Sequence, residues 1–372
     1  LGQSEEAVKA FQKALEIAPG YPRAMNNLAE AYQEAGDPKS AEKVYRQLLE
    51  EQPGHVGAVQ GLAPVLRSLG RQQEAKSLLE DCLEKNPENV DLIRSLAGFK
   101  DWEMGPTQRA KLQELVDTPG FDPTRKETFL FLLAQDAEKR QDIEETATRY
   151  RQANAHKAKR VHYNPKTHEN LVAKLQELCG TDLARQVRAY RPKPQGMADP
   201  EWQPVFVVGL PRSGTTLMNQ ILASHPEIKT VGELSSGFTQ GMEKLPEWQG
   251  YLKGEETAQK VGQKLLANRV RYQLASGYRE AQKAAGVSGG TVVDKLPGNF
   301  LYLPFIGMSL PRARIILTKR NLRDVALSCF QQNFAHGQAF SFDWERMKHF
   351  FDLYRRVVQL WQELFGGRLM VC

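Results

Sequence analysis

The stretch FVVGLPRSGTTL, residues 206–217, decides how the second half of the chain is read. An apolar run enters glycines, then small hydroxyl residues, then a helical pattern. This is the outline of a phosphate-binding loop, whose nucleotide-hydrolase form is G-x-x-x-x-G-K-[ST]. Gly209 and Gly214 keep that spacing, but Thr215 occupies the lysine position and Arg212 lies inside the loop. The backbone N–H groups of Arg212 to Thr216, together with the start of the following helix, are expected to face an anion. In a nucleotide hydrolase the lysine neutralises the outer phosphates and the hydroxyl that follows it holds magnesium. A cradle without that lysine suits a less charged ligand.

Around the loop the pattern alternates. Short buried strands are expected at 204–209, 291–295 and 313–319, and RLMVC (368–372) begins another. Helices are expected at 215–225, roughly 255–284, 322–332 and 344–365, with Leu217, Ile221 and Leu222 turned toward the sheet. Strands alternating with helices imply a parallel sheet covered on both faces. Ligands bind such sheets at the carboxyl ends of the strands. Those ends carry the loop, Asp294-Lys295 and Lys319-Arg320. The charge agrees: residues 1–200 hold 29 Lys and Arg against 30 Asp and Glu, whereas residues 201–372 hold 21 against 14. A basic half around the loop favours an anionic ligand. A solvated basic surface would give the same count.

The first half repeats itself. Ala7, Ala41 and Ala75 are 34 residues apart, as are Pro19, Pro53 and Pro87, Leu28, Leu62 and Leu96, and Gly2, Gly36 and Gly70. A period of 34, with small residues at helix crossings and proline after the second helix, is the tetratricopeptide signature. The expected organisation is repeats over 1–104, a degenerate helical repeat or bridging helices over 105–189, a proline-rich linker over 190–203 and an α/β domain over 204–372. Such solenoids bind peptides along a concave face, or serve only to brace the next domain. The opening residues read as the second helix of a repeat whose first is missing, and the chain stops within its last expected strand. Both suggest a fragment. No apolar run approaches the roughly 18–20 residues of a membrane span, and no signal peptide is visible. The four cysteines form no metal or disulfide spacing, so a reducing, cytoplasmic setting is the simpler expectation. No basic run is interleaved with aromatics as in a nucleic-acid binder.

VGLPRSGTTL resembles the 5′-phosphosulfate loop of sulfotransferases that use 3′-phosphoadenosine 5′-phosphosulfate. The arginine form is similar to tyrosylprotein sulfotransferases and to bacterial sulfotransferases with N-terminal tetratricopeptide repeats. ILASHPEI and GEL fit the same group, and the resemblance covers about residues 204–372. It implies an α-solenoid followed by a phosphate-loop α/β domain of the sulfotransferase fold, with that donor as cosubstrate and no metal. Arg212, Ser213, Gly214, Thr215 and Thr216 would hold the 5′-phosphosulfate. Arg320 and Ser328, in KRNLRDVALS, would clamp the 3′-phosphate. Glu233 would be the general base, and Lys295 with Arg212 would stabilise the leaving phosphate. Asn299 would help to orient its loop. The acceptor, whether protein tyrosine, glycan or small molecule, stays open, and a peptide could lie in the groove of the repeats.

The chain departs from many soluble members, which carry tryptophan where Leu217 stands and use histidine as the base. Leu217 cannot stack on adenine. His225, before Pro226, reads as a cap, and His336 ranks as a distant second base. Two other functions compete. An interaction protein with an inert second half would be favoured by loss of Glu233, Lys295 or Arg320, and all three are present. A nucleotide kinase or hydrolase is disfavoured by Thr215 and by the lack of a magnesium carboxylate.

Overall fold

The computed structural model describes residues 2–189, 202–234, 237–310, 312–335 and 337–372. It divides into two compact units, Leu1–His156 and Lys157–Cys372. Most of the expected linker, residues 190–201, lies outside the described residues.

The first unit is helical throughout. Helices Gly2–Ile17, Pro22–Glu34, Pro38–Glu51, Val56–Ser68, Gln72–Lys85 and Val90–Ala97 follow one another with short turns. The period of 34 fixes where each begins and ends. Gly36 and Gly70 adopt φ of +79° in equivalent turns, a conformation that costs glycine little and other residues more. Asp37 caps the next helix by accepting the Ser40 N–H at 3.1 Å, with Pro38 at the first helical position. At the helix start one repeat later than Tyr21, His55 accepts the Ala58 N–H at 3.0 Å. Asn89, a further repeat on, accepts from Asp91 and Leu92. The repeated alanines Ala41 and Ala75 are fully buried, as is Leu96, and Leu28 and Leu62 are nearly so. Gly61 lets the Tyr45 ring approach the helix backbone; a Cβ there would lie 2.3 Å from the ring. Helices Pro106–Asp117 and Pro123–Lys139 continue the unit. Buried Asp136 ties them together, accepting from Arg109 at 2.7 Å and from Arg140 at 3.0 Å.

The second unit is built on a five-stranded sheet whose strands are all parallel. The strands are β1 (Gln203–Gly209), β2 (Ile228–Gly232), β3 (Thr291–Lys295), β4 (Arg314–Thr318) and β5 (Leu369–Val371), in the order β2-β3-β1-β4-β5. β1 lies at the centre and is buried from Pro204 to Gly209. Val205, Val207, Val293 and Ile316 form a cluster on one face, covered by Met218 and Leu222 of helix Thr215–Ala223. The other face of β1 presents Phe206, whose ring lies 5.2 Å from Tyr278 of helix Asn268–Ala284.

Three local expectations need correction. β2 is absent from the strand pattern read in the sequence, because IKTVG is short, half-exposed and carries a lysine. The polar stretch after 255 is two helices, Ala258–Leu266 and Asn268–Ala284, parted at Ala267, whose ψ of 136° is extended. Leu217 and Ile221 do not face the sheet; they are 62% and 56% exposed, and Met218 takes the inner position.

The Gly61–Tyr45 contact reverses an ordinary rule. Glycine to alanine inside a helix normally stabilises by about 1 kcal/mol. Here Gly61→Ala forces a methyl into a fully buried ring, and overpacking of this kind costs about 1–3 kcal/mol. The urea midpoint of the variant should fall; a raised midpoint would rule the packing out.

Candidate active site

The loop from Leu210 to Gly214 joins β1 to helix Thr215–Ala223. Its shape is set from below. Gly209 has φ of +151°, and a Cβ there would meet the Thr318 carbonyl and hydroxyl oxygens at 2.7 Å and Ser213 Oγ at 2.9 Å. The end of β1 therefore packs directly on the end of β4. Ser213 Oγ donates to the Leu210 carbonyl at 2.7 Å and lies 2.8 Å from Thr318 Oγ1. The Cys329 thiol donates to the Pro211 carbonyl at 3.7 Å, and burial pushes that thiol up to about 12. Ser213 and Thr215 are buried, and Thr216 is exposed. The hydroxyl of Ser213 thus holds the loop's shape from inside. The outward donors are the N–H groups of the first helical turn, which have no partner within a helix. Gly214 takes φ of +102° as the helix cap, and a Cβ there would meet nothing within 4 Å.

Arg212 is the unusual member. It adopts φ of +66°, a region rarely used by residues other than glycine, asparagine and aspartate. Its side chain is exposed, and Nε donates to Ser328 Oγ at 2.9 Å. The structure thus pairs Arg212 with Ser328, two residues that the sequence assigned to opposite ends of a ligand. Arg320 lies just before the helix Leu322–Phe330 that carries Ser328, 3.7 Å from Asp324. Beside the loop an open cleft of about 270 Å³ is lined by Ser213, Thr318, Lys319, Arg320 and Arg355.

Glu233 and Lys295 meet at the ends of β2 and β3, where Lys295 Nζ donates to Glu233 Oε1 in an ion pair. Lys295 is mostly buried and Glu233 about half exposed. The register of β2 on β3 shifts between Thr230 and Gly232, and Gly232 takes φ of +67°. Such a bulge re-aims the next side chain, here Glu233. Asn299 is fully buried and accepts the Thr239 hydroxyl at 2.8 Å, leaving its own amide nitrogen without a partner among the described residues. His225 accepts the Glu227 N–H at 3.2 Å, a local turn contact. His336 lies outside the described residues.

Sequence reading placed Asp294 at a strand end but not as a buried acid. Asp294, beside Lys295, is fully buried. Neither carboxylate oxygen has a hydrogen bond of ordinary geometry among the described residues. The Leu234 N–H and the Tyr278 hydroxyl lie close enough to oppose the effect of burial in part. Burial prevails, with the charge of Glu233 adding to it, and raises Asp294 to about 7. The signal was present in TVVDK, where a strand too apolar to face water carries a carboxylate.

Residues 204–371 match the family model of the sulfotransferase family, and residues 1–63 match a tetratricopeptide repeat model. The chain carries a sulfotransferase-family domain behind tetratricopeptide repeats. It is also similar to an "Uncharacterized protein" of Aquifex aeolicus (strain VF5), 29% identical over 278 residues. That match takes in 73% of this chain and 35% of the relative, so the chain spans about a third of the curated relative's length. No described helix is long and apolar enough to cross a membrane.

The Asp294 carboxyl makes stability depend on pH. Folding raises it from 3.8 to about 7, so the folded state holds the proton more tightly. Its contribution is fully present below about pH 4 and is lost as the pH rises to about 7, with a slope of up to about 1.4 kcal/mol per pH unit. Asp294→Asn should flatten that part of the unfolding free energy measured against pH between 4 and 7. An unchanged slope would show that Asp294 titrates normally.

Proposed function

We propose that the second unit transfers the sulfuryl group of 3′-phosphoadenosine 5′-phosphosulfate to an acceptor hydroxyl. The observation that carries this reading is the convergence of a lysine-free anion loop with the Glu233–Lys295 pair at one edge of the parallel sheet. The loop's helix N-terminus and Arg212 suit one phosphate bearing one sulfuryl group. Thr215 and Thr216 begin the helix that faces it, with Ser213 and Gly214 shaping the approach. Arg320 and Ser328 take the 3′-phosphate, where an arginine fork suits a phosphate dianion. Arg212 already touches Ser328, so a bound donor would lie along a connected basic path.

In the reaction the acceptor oxygen forms a bond to sulfur as the bond from sulfur to the 5′-phosphate oxygen breaks. The acceptor proton passes to Glu233. Lys295 and Arg212 stabilise charge on the departing phosphate. The products are a sulfate ester and adenosine 3′,5′-bisphosphate. For this, Lys295 leaves Glu233 and turns to the bridging oxygen when the donor is present. Asn299 steadies the segment after Lys295. The repeats would hold a peptide or protein acceptor. A cytoplasmic setting accords with four cysteines that are all free.

Calorimetry tests the donor site. Adenosine 3′,5′-bisphosphate should bind without magnesium, ATP should bind far more weakly, and Arg320→Ala should lose about 10- to 100-fold in affinity for the bisphosphate, since charge-assisted contacts carry it. Equal binding of ATP would remove the reading. Once an acceptor is found, Glu233→Gln should lower kcat by about 10²- to 10⁴-fold, the usual size of a general-base effect, with donor affinity nearly kept.

A further inference from the structure

The loop after β1 and the helix Leu322–Phe330 are joined at two consecutive pairs of residues. The Cys329 thiol donates to the Pro211 carbonyl at 3.7 Å, and Arg212 Nε donates to Ser328 Oγ at 2.9 Å. Cys329 is fully buried, so the first contact ties loop to helix from inside. The second lies outside it, with Arg212 exposed and Ser328 partly buried. A lone contact of an exposed arginine is easily lost. Here the guanidinium starts from a fixed place, because φ of +66° at Arg212 and the thiol contact beside it set the direction in which the side chain leaves the loop.

The Ser328 hydroxyl is used in an unusual way. A serine inside a helix often turns its proton back to the carbonyl four residues earlier. Ser95 does so onto Asp91 at 2.9 Å, and Ser276 onto Tyr272 at 2.8 Å. Ser328 instead accepts from Arg212, and its own proton has no acceptor among the described residues. A hydroxyl that accepts one N–H still has its O–H to donate. With Arg212 on the oxygen, that proton is directed away from the guanidinium and is left for an anion. The guanidinium has five N–H groups, and Arg212 makes no other hydrogen bond among the described residues. Asp324, one helical turn before Ser328, lies 3.7 Å from Arg320. Two arginines thus reach neighbouring positions of one helix, Arg320 at Asp324 and Arg212 at Ser328. A phosphate bound there would draw Arg320 from Asp324 and take the Ser328 proton.

We propose that Arg212 couples the two phosphate subsites of the donor site. Its Nε–H sets the Ser328 hydroxyl so that the proton is presented to a 3′-phosphate, and the other N–H groups of the same guanidinium are left for the 5′ group. The inference rests on the donor reading given above. Toward the 3′-phosphate Arg212 is a positioning residue, acting through Ser328. Toward the 5′ group it acts directly. Arg212 therefore determines specificity as well as serving the leaving group, because a nucleotide without the 3′-phosphate leaves the Ser328 proton unused.

The test is a double-mutant cycle on the full chain, read by calorimetry without magnesium. Adenosine 3′,5′-bisphosphate and adenosine 5′-monophosphate are the two probes, and the ratio of their affinities is the preference for a 3′-phosphate. Wild type should prefer the bisphosphate by about 100-fold or more, and Ser328→Ala should cut that preference by about 10-fold, the size of one hydrogen bond to a charged group. Arg212→Ala should weaken both nucleotides and also cut the preference by nearly as much as Ser328→Ala. The double variant should show no lower preference than Ser328→Ala alone, since the two losses are one interaction. Arg320→Ala added to Ser328→Ala should lower the preference further, because Arg320 reaches the phosphate independently. The inference is overturned if Arg212→Ala keeps the wild-type preference, or if the double variant loses the product of the two single losses, as it would were Arg212 acting only as a distant positive charge. Wild type that binds neither nucleotide defeats the donor site and the coupling together. Wild type that binds both equally defeats the 3′-phosphate subsite and with it the coupling. A clear preference whose losses multiply defeats the coupling alone.

Discussion

The site depends on one close approach, that of Gly209 to Thr318. No side chain fits between them, since the first atom of one would sit 2.7 Å from two oxygens of Thr318. The ends of β1 and β4 are therefore locked at a distance that only glycine permits. From this contact follows the buried hydroxyl pair of Ser213 and Thr318, and from that pair the path of the loop. The loop in turn aims the first turn of helix Thr215–Ala223 outward. It also brings Arg212 within reach of Ser328, whose helix follows β4. One contact between strand ends thus sets the geometry of two elements more than a hundred residues apart in sequence.

The resting pair of Glu233 and Lys295 raises a question of cost. In the proposed reaction the base is held at rest by the cation that would serve the leaving group. The pair is not deeply buried, because Glu233 is about half exposed. Ion pairs in such positions are worth on the order of 1 kcal/mol or less. A ligand carrying phosphate beside Lys295 easily outweighs that. The arrangement keeps Lys295 from a worse alternative, a mostly buried ammonium without a partner, whose desolvation would be costly.

Much of this was legible in the sequence, and the parts that were not share a cause. The repeat announced itself because four positions recur at 34, each with its own physical role in a turn or crossing. The loop announced itself because glycine spacing and hydroxyl residues constrain backbone more than packing does. β2 was not legible, since a short strand partly open to solvent has no hydrophobic run, and its place depends on pairing with β3. Met218 and Leu217 exchanged roles because a helix that begins at a tight loop has its phase set by the loop, not by its own apolar residues. Asp294 was visible as a residue but not as a buried acid, because burial on the second face comes from a helix only a few residues before β3 and an aromatic residue on a neighbouring strand. Contacts of that kind are tertiary: TVVDK marks a carboxylate in an apolar strand without saying what covers it.

Arg212 carries the last step. A residue with a Cβ in the left-handed region costs on the order of 1 kcal/mol or more relative to glycine, and the loop already uses glycine at both ends. Glycine at this position would relieve the strain and lose the guanidinium. The backbone conformation carries the exposed side chain to Ser328 rather than away from the sheet edge. A strained position persists only when its surroundings over-determine it. Here they do so through the buried Ser213 beside it and the Cys329 thiol on Pro211. The chain therefore places a positive charge in the loop after β1 by bending its backbone, where a nucleotide hydrolase places one on the first residue of the helix.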